Sequence, residues 1–371
     1  DYETLKNIFN VSFSCYNENN KKMEMNRMIL TKKPLKILLI GGTGTISLPI
    51  CEALSQNQDI ELYVMNRGHK SLPEHAHQII CDFHDTAKME EILKDYSFDV
   101  VCNFIIYKPE EAIKQIQLFK GKIQQYIFIS TVVTYNHETA VMIQESHEQN
   151  NIYSEYGREK TKCEQIFMKA YEEFGFPITI VRPSQTYGYD RIPLSVKGKS
   201  CWSVVDRILN DKPVIVHGDG KSTWHCTHNQ DFAYNFIQLI NNEKTIGQAY
   251  HNINPVVVNW DMIYHNLYAL LNKEPKIIHI ASDTLALSQT YDIESSILGD
   301  KQYSCLFDMS KIQRDIPDFQ NHIMIQEGLK MYLDYMDQHP EKKVKDETFD
   351  QWCDQVIDSY QKFIQQIKGH F

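Results

Sequence analysis

The sequence predicts an α/β fold in which a doubly wound, mainly parallel sheet occupies the first half of the chain and a smaller lobe follows. Three observations predict it. From Leu35 onward, short apolar runs alternate with stretches of helical spacing, as they do where helices cover both faces of a parallel sheet. The first run ends in a glycine-rich turn, IGGTGTIS, that opens onto a helical stretch. After Pro183 the alternation loosens into loops, helices and short strands.

Composition sets the outer limits. A chain of 371 residues can bury a large core, as one big domain or as two lobes. Its 42% hydrophobic and 23% charged residues are ordinary for a globular protein. The net charge of −10, with a pI near 5.8, argues against nucleic acid as a partner, because phosphate binding needs clustered Lys and Arg. No apolar run approaches the ~20 residues that span a bilayer, and no signal-peptide pattern is seen, so a cytoplasmic protein with no membrane partner is expected. The nine cysteines contain no C-x-x-C pair and are expected to be reduced, mostly buried thiols.

The elements follow in order. Residues 1–33, rich in Asn, Lys and Met and without a sustained period, read as an N-terminal extension, disordered and outside the fold. Candidate strands are LKILLI (35–40), ELYVMN (61–66), HQIICD (77–82), FDVVCNF (98–104), QYIFIS (125–130) and ITIVRP (178–183). Ahead of the last of these, Cys163, Ile166, Phe167, Ala170, Tyr171 and Phe174 recur at helical spacing and define a buried face. Residues 34–185 are therefore expected to form the sheet domain. PVIVHGDG (213–220) and a helix beginning near Asp231 are expected to return to it, so that segments near 213–245 belong there. Residues 186–340 mainly form the second lobe. In 341–371, Phe349, Trp352, Val356, Tyr360, Phe363 and Ile367 step by three or four, the stripe of an amphipathic helix packing on its own domain.

The glycine turn suggests a dinucleotide. Gly41, Gly42 and Gly44 lie between a buried strand and a helix, where they permit a tight turn and close approach of a pyrophosphate. The helix N-terminus supplies amide donors. Thr43, Thr45 and Ile46 complete this candidate cofactor segment, and Ser47 stands where the usual pattern has its third glycine. Strand, turn, helix and second strand together give the context that a lone glycine turn lacks. The second strand ends in Asn66 and Arg67 rather than in the carboxylate that holds the ribose of NAD. NAD(P) is therefore the expected cofactor, with NADP modestly favoured because Arg67 can bind a 2′-phosphate; the alternative is that Arg67 and Lys70 are solvated loop charges. Asp82, with Phe83 after it, is a candidate for the adenine amino group, or equally a strand-end cap.

A second motif supplies chemistry. In YGREK, Tyr156 and Lys160 stand at i and i+4, on one face of a helix. The lysine charge is expected to favour the phenolate, making Tyr156 a general acid/base near neutral pH. Alone, this pair is weak, since the chain has 21 tyrosines; its position downstream of the glycine turn gives it weight. His225, Cys226 and His228 cluster, but they form no second ligand pair at zinc spacing, and no metal is expected.

These residues resemble the extended short-chain dehydrogenase/reductase superfamily, the group of NAD-dependent epimerases and dehydratases with a Rossmann-type sheet and a smaller C-terminal substrate-binding lobe. The resemblance runs from Leu35 to about Phe319 through GGTGTIS, FISTVVTY, YGREK, VRPSQTYG, HGDGKSTWHCTHNQD and FDMSKI. It implies that Thr131 hydrogen-bonds the reacting oxygen, that Tyr156 is the acid/base with Lys160 as its helper, and that Pro183 and Ser184 border the nicotinamide. It also implies a sugar or sugar-nucleotide substrate and a homodimer.

Two departures narrow this. The 4,6-dehydratases of the group carry an acidic pair after the catalytic threonine, whereas Val132 and Val133 follow Thr131, and valine transfers no proton. Where many members have a diphosphate-clamping arginine this chain has Trp224, leaving Arg191, Lys197, Lys199 or Arg207 for that task. Trp224, Arg191 and His228 are the candidate substrate contacts. The stretch with His228 and Asp231, NRG (66–68) and IIYKPEE (105–111) is also similar to an atypical branch that includes chloroplast stem-loop RNA-binding proteins. Two functions are therefore expected: an epimerase or reductase using Thr131, Tyr156 and Lys160, or a Rossmann-fold RNA- or nucleotide-binding scaffold.

Overall fold

The computed structural model describes residues 33–138 and 142–370. The expected N-terminal extension lies outside the described residues, apart from Lys33.

Seven strands form the main sheet: β1 (Leu35–Ile40), β2 (Ile60–Asn66), β3 (His77–Ile80), β4 (Val100–Asn103), β5 (Gln125–Ile129), β6 (Ile178–Arg182) and β7 (Gln248–His251). Their spatial order is β7-β6-β5-β4-β1-β2-β3. Pairing is parallel at β1–β4, β2–β3, β4–β5, β5–β6 and β6–β7. Central strands are covered on both faces, so their residues are apolar without alternation; Ile37 to Ile40 are all fully buried. The edge strand β3 buries only Ile79. The buried Gln125 side chain on β5 is satisfied by donating to Thr179 Oγ1, Leu239 O and Thr245 Oγ1, at 3.0, 2.9 and 3.0 Å.

The chain leaves β1 toward β2 on one side, while β4 lies on the other. Such a reversal opens a crevice at the carboxyl ends of the strands, the usual ligand position in open α/β sheets. Helices α1 (Ser47–Ser55), α2 (Thr86–Leu93), α3 (Pro109–Phe119) and α4 (Glu155–Phe174) connect the strands. The Ser154 hydroxyl caps α4 by accepting the Gly157 N–H at 3.1 Å, and Gly175, left-handed at φ 71°, ends it. Helix α5 (Asn229–Ile237) packs against α1.

Other expectations are corrected. Val214–His217 does not enter the main sheet; it pairs in parallel with Ile277–Ile280. The strand that closes the sheet edge is β7, whose short, half-polar QAYH gave no apolar run to read. On α4, Cys163, Phe167 and Ala170 are buried, but Phe174, the last residue of the helix, is 41% exposed. The C-terminal helix α6 (Glu347–His370) buries Phe349, Trp352, Cys353 and Ile357, whereas Phe363 and Ile367 are exposed, so the stripe packs only along its first half. Arg207 anchors that half: it is 1% exposed and paired with Asp350 and Asp354, and is consumed as a candidate phosphate ligand. The eight described cysteines are free and buried. No described helix is long and apolar enough to cross a membrane.

Candidate active site

The glycine turn leaves β1 with Gly41 at φ 86°, a left-handed conformation that favours glycine. A β-carbon there would meet Ile105 at 2.6 Å, and one on Gly42 would meet Val64 at 2.7 Å. Ser47 cinches the turn: its hydroxyl donates to Gly41 O at 2.7 Å and accepts the Gly44 N–H at 2.9 Å. This serine therefore shapes the turn while occupying one amide donor. Thr45 donates its hydroxyl to the Asp190 carboxylate at 2.9 Å and accepts Asn229 Nδ2 at its carbonyl at 2.8 Å, and Lys70 Nζ donates to Thr43 O at 2.9 Å. After β2, Asn66 Oδ1 accepts the Gly68 N–H at 2.8 Å, while Asn66 Nδ2 is buried without a partner among the described residues and Arg67 is exposed. A cradle that side chains would fill and an orphaned buried donor at the strand end fit a dinucleotide.

Thr131, Tyr156 and Lys160 converge on one cavity of about 210 Å3 at the carboxyl ends of β4, β5 and β6. Gly157 sets the approach. A β-carbon on it would lie 2.3 Å from Val133 O, so only glycine lets α4 press against the turn after Thr131. Lys160 is 2% exposed; its Nζ donates to Ile129 O at 2.7 Å and sits 4.8 Å from the Tyr107 and Phe128 ring centroids and 5.8 Å from that of Tyr156. Burial pulls this ammonium down to about 8, with Cys163, Glu164 and Glu111 opposing. Thr131 Oγ1 accepts the Val133 N–H at 3.2 Å.

Tyr156 departs from expectation. It keeps 42% of its surface exposed, yet burial around its hydroxyl pushes the phenol well above its ordinary range, with Tyr107 and Asp300 adding and the Thr131 hydroxyl opposing. Burial of the hydroxyl is the largest of these effects, and one Lys160 N–H donates to the Ile129 carbonyl. The direction of this shift favours the neutral phenol.

Ile46, Pro183 and Ser184 line the same cavity, as do Phe104, Tyr107, Thr186, Arg191, Trp224 and Asp300. His228 does not. It caps α5, accepting the Gln230 N–H at 3.3 Å, between the rings of Tyr187 and Tyr189, and burial lowers it to about 4. His225 instead meets the Asn254 carbonyl at 2.8 Å, so the two histidines have different surroundings. Asp82 caps the end of its strand, accepting the His84 N–H at 2.9 Å, and Phe83 lines a separate cavity with His84, Glu110 and Glu111.

The model of the NAD dependent epimerase/dehydratase family matches residues 37–254, more than half of the chain. The chain belongs to this family. Among its relatives is the trifunctional UDP-glucose 4,6-dehydratase/UDP-4-keto-6-deoxy-D-glucose 3,5-epimerase/UDP-4-keto-L-rhamnose-reductase of Arabidopsis thaliana, 22% identical over 229 residues, 60% of this chain and 30% of that one. Another is the chloroplast stem-loop binding protein of 41 kDa b of the same plant, 25% identical over 240 residues. The chain thus spans 30% and 60% of the lengths of these two curated relatives. The crystal structure of UDP-glucuronic acid 4-epimerase from Bacillus cereus with NAD superposes with a TM-score of 0.65 at 19% identity, covering 82% of this chain and 97% of that one. At that identity the likeness is one of fold.

For this family member, sequence reasoning missed Phe104, Tyr107, Gly157 and Asp300. Tyr107 and Gly157 stand inside motifs that were already noted, IIYKPEE and YGREK, and a glycine one residue from a candidate acid/base was a usable signal. Asp300 had none, because it reaches the cavity from a distant turn.

Proposed function

We propose that the Tyr156 cavity carries NAD(P)-dependent redox chemistry on a sugar or sugar nucleotide, with epimerisation favoured slightly over simple reduction. The observation that carries this reading is the meeting of Thr131, Tyr156 and Lys160 on one cavity that Ile46, Pro183 and Ser184 also line. A bound nicotinamide dinucleotide supplies the hydride acceptor and donor.

The chain's own residues do the rest. Tyr156 exchanges a proton with the substrate oxygen, and Thr131 hydrogen-bonds the same oxygen. The Lys160 ammonium offsets charge on the phenolate when Tyr156 gives up its proton. Gly41, Gly42 and the amides that open α1 hold the pyrophosphate. Val132 and Val133, which line the cavity, transfer no proton, and this disfavours 4,6-dehydration. The substrate passes through a ketone. In an epimerase the ketone turns before regaining its hydrogen, whereas in a reductase or dehydrogenase it is released.

Arg67, exposed after β2 where no carboxylate follows, supports room for a 2′-phosphate; the NAD dependence of the family favours NAD. Denaturing protein purified without added nucleotide and identifying what it releases by mass spectrometry tests the whole reading. Retained NAD(H) or NADP(H) supports an epimerase that recycles its cofactor. An empty protein that binds NADPH points to a reductase, and one that takes up neither overturns the enzyme reading.

The likeness to a stem-loop binding protein keeps RNA binding as the second reading, which the net charge of −10 opposes. Filter binding to a stem-loop RNA checks it: retention that falls steeply with salt would favour RNA over sugar.

A further inference from the structure

One wall of the Tyr156 cavity carries buried polar atoms that find no partner among the described residues: the Trp224 Nε1, Thr186 Oγ1 and Asp300 Oδ1 atoms, with the Ser130 hydroxyl near the cavity's other side. Each such atom costs ~1–3 kcal/mol of desolvation, and native proteins leave few of them. Several around one cavity suit a ligand that completes their hydrogen bonds.

Asp300 is built into place. It lies in a single π-helical turn, Ile297–Lys301, of a kind that is rare and often found at functional sites. Two side chains clamp that turn to the segment after Thr131. Asn151 Nδ2 donates to both Gly299 O, at 2.6 Å, and Val133 O, at 2.8 Å. The His137 ring bridges Asp300 O at 3.3 Å and Val132 O at 3.0 Å. The neighbouring Lys301 turns away, donating to Leu194 O and Ser195 O at 3.1 and 3.0 Å. The backbone of this turn is therefore tied to the segment after Thr131, and among the described residues the Asp300 carboxylate makes no ion pair.

We infer that Asp300, with the Trp224 indole N–H and the Thr186 hydroxyl, binds the hydroxyls of an uncharged sugar ring and discriminates against sugars that carry a carboxylate. The chemistry of the wall selects this ligand class. A carboxyl, an indole donor and a hydroxyl match a ring of hydroxyls, each of which both donates and accepts. An anionic group placed against Asp300 would be repelled by its carboxylate. Two cations line the cavity: Arg191 is exposed, and Lys160 donates to Ile129 O. Burial also raises the Asp300 carboxyl from its usual range, with His137 and Lys301 opposing, as expected of a group awaiting a hydrogen-bonding partner. This inference rests on the sugar reading above.

UDP-glucose and UDP-glucuronic acid are suitable probes because they share the nucleotide and differ only in CH2OH against carboxylate. Titration calorimetry on the full chain loaded with NAD should show UDP-glucose binding at least about tenfold tighter. Asp300→Asn, which keeps the size and can still hydrogen-bond, should shrink the preference to within about threefold by admitting the uronate. Thr186→Val should weaken both sugars alike. Equal or reversed preference in the unaltered protein, an unchanged ratio in Asp300→Asn, or binding of neither sugar by NAD-loaded protein would each overturn the assignment. NAD uptake, followed first by quenching of tryptophan fluorescence, separates the two ideas. A chain that takes up no NAD fails the redox reading, and the same titrations without NAD then decide the role of Asp300 alone.

Discussion

The two walls of the Tyr156 cavity treat their polar groups in opposite ways. On the sheet side, Lys160 is bonded to Ile129 O, Thr131 to the Val133 N–H and Ser184 to His225 O, the Ser130 hydroxyl being the exception. On the C-terminal side, Trp224, Thr186 and Asp300 each keep a buried polar atom that is unpaired among the described residues. The first wall is fixed before any ligand arrives, which suits groups that must meet a reacting atom in one geometry. The second bears a desolvation cost that a ligand relieves, which suits groups that read the substrate. Changes on the first wall should therefore act on turnover, and changes on the second on binding.

The largest break in this contrast comes from Tyr156→Phe. Turnover should fall by ~10³-fold through loss of the acid/base group, with thermal stability and NAD uptake retained; a steady-state assay beside a melting curve checks it. Next is Gly157→Ala. Its new methyl group meets Val133 O, so α4 must shift, lowering turnover by ~100-fold and stability by ~2 kcal/mol, the second read from denaturant unfolding.

Lys160→Met sharpens the contrast through pH. In the folded chain Lys160 is pulled from 10.5 to about 8, so the charged form is disfavoured by folding. Below pH 8 both folded and unfolded chains carry the proton and the penalty is complete. As pH rises from about 8 to 10.5 the folded chain releases its proton first, and stability rises. Lys160→Met should melt no lower than the parent at pH 7, and any advantage should shrink across that window. Parent activity that depends on the ammonium should decline as pH passes about 8, and the variant should lack that limb. The smallest effect is expected from Thr186→Val, which removes an unpaired hydroxyl: stability within ~1 kcal/mol of the parent, KM raised roughly fivefold, kcat nearly unchanged.

The same division describes how far the sequence could be read. Where function sits within a few residues of a strong local pattern, the pattern suffices. The glycine turn follows a four-residue buried run, and Tyr156 and Lys160 share one helix with a buried face, so β1 to β6 were legible, and Thr131, Tyr156 and Lys160 could be named as one group. The other wall is assembled by tertiary contacts. Nothing in SILGDKQ distinguishes Asp300 from a loop carboxylate, because its meaning depends on Asn151 and His137 holding a distant turn in place. β7 was missed because four half-polar residues carry no periodic signal. For Tyr156, spacing gives the neighbour's charge but not the desolvation that opposes it. His228 looked like a substrate contact, and it is a helix cap.

The central claim is that Tyr156 governs proton transfer coupled to redox chemistry in this cavity. Its most direct test is the absorbance of reduced nicotinamide near 340 nm, followed in a single turnover when UDP-glucose is mixed with NAD-loaded protein and with NAD-loaded Tyr156→Phe. A transient rise in the parent, absent from a variant that still holds its NAD, is the predicted result. Equal signals from the two proteins, or no signal from a parent that binds both ligands, would contradict it.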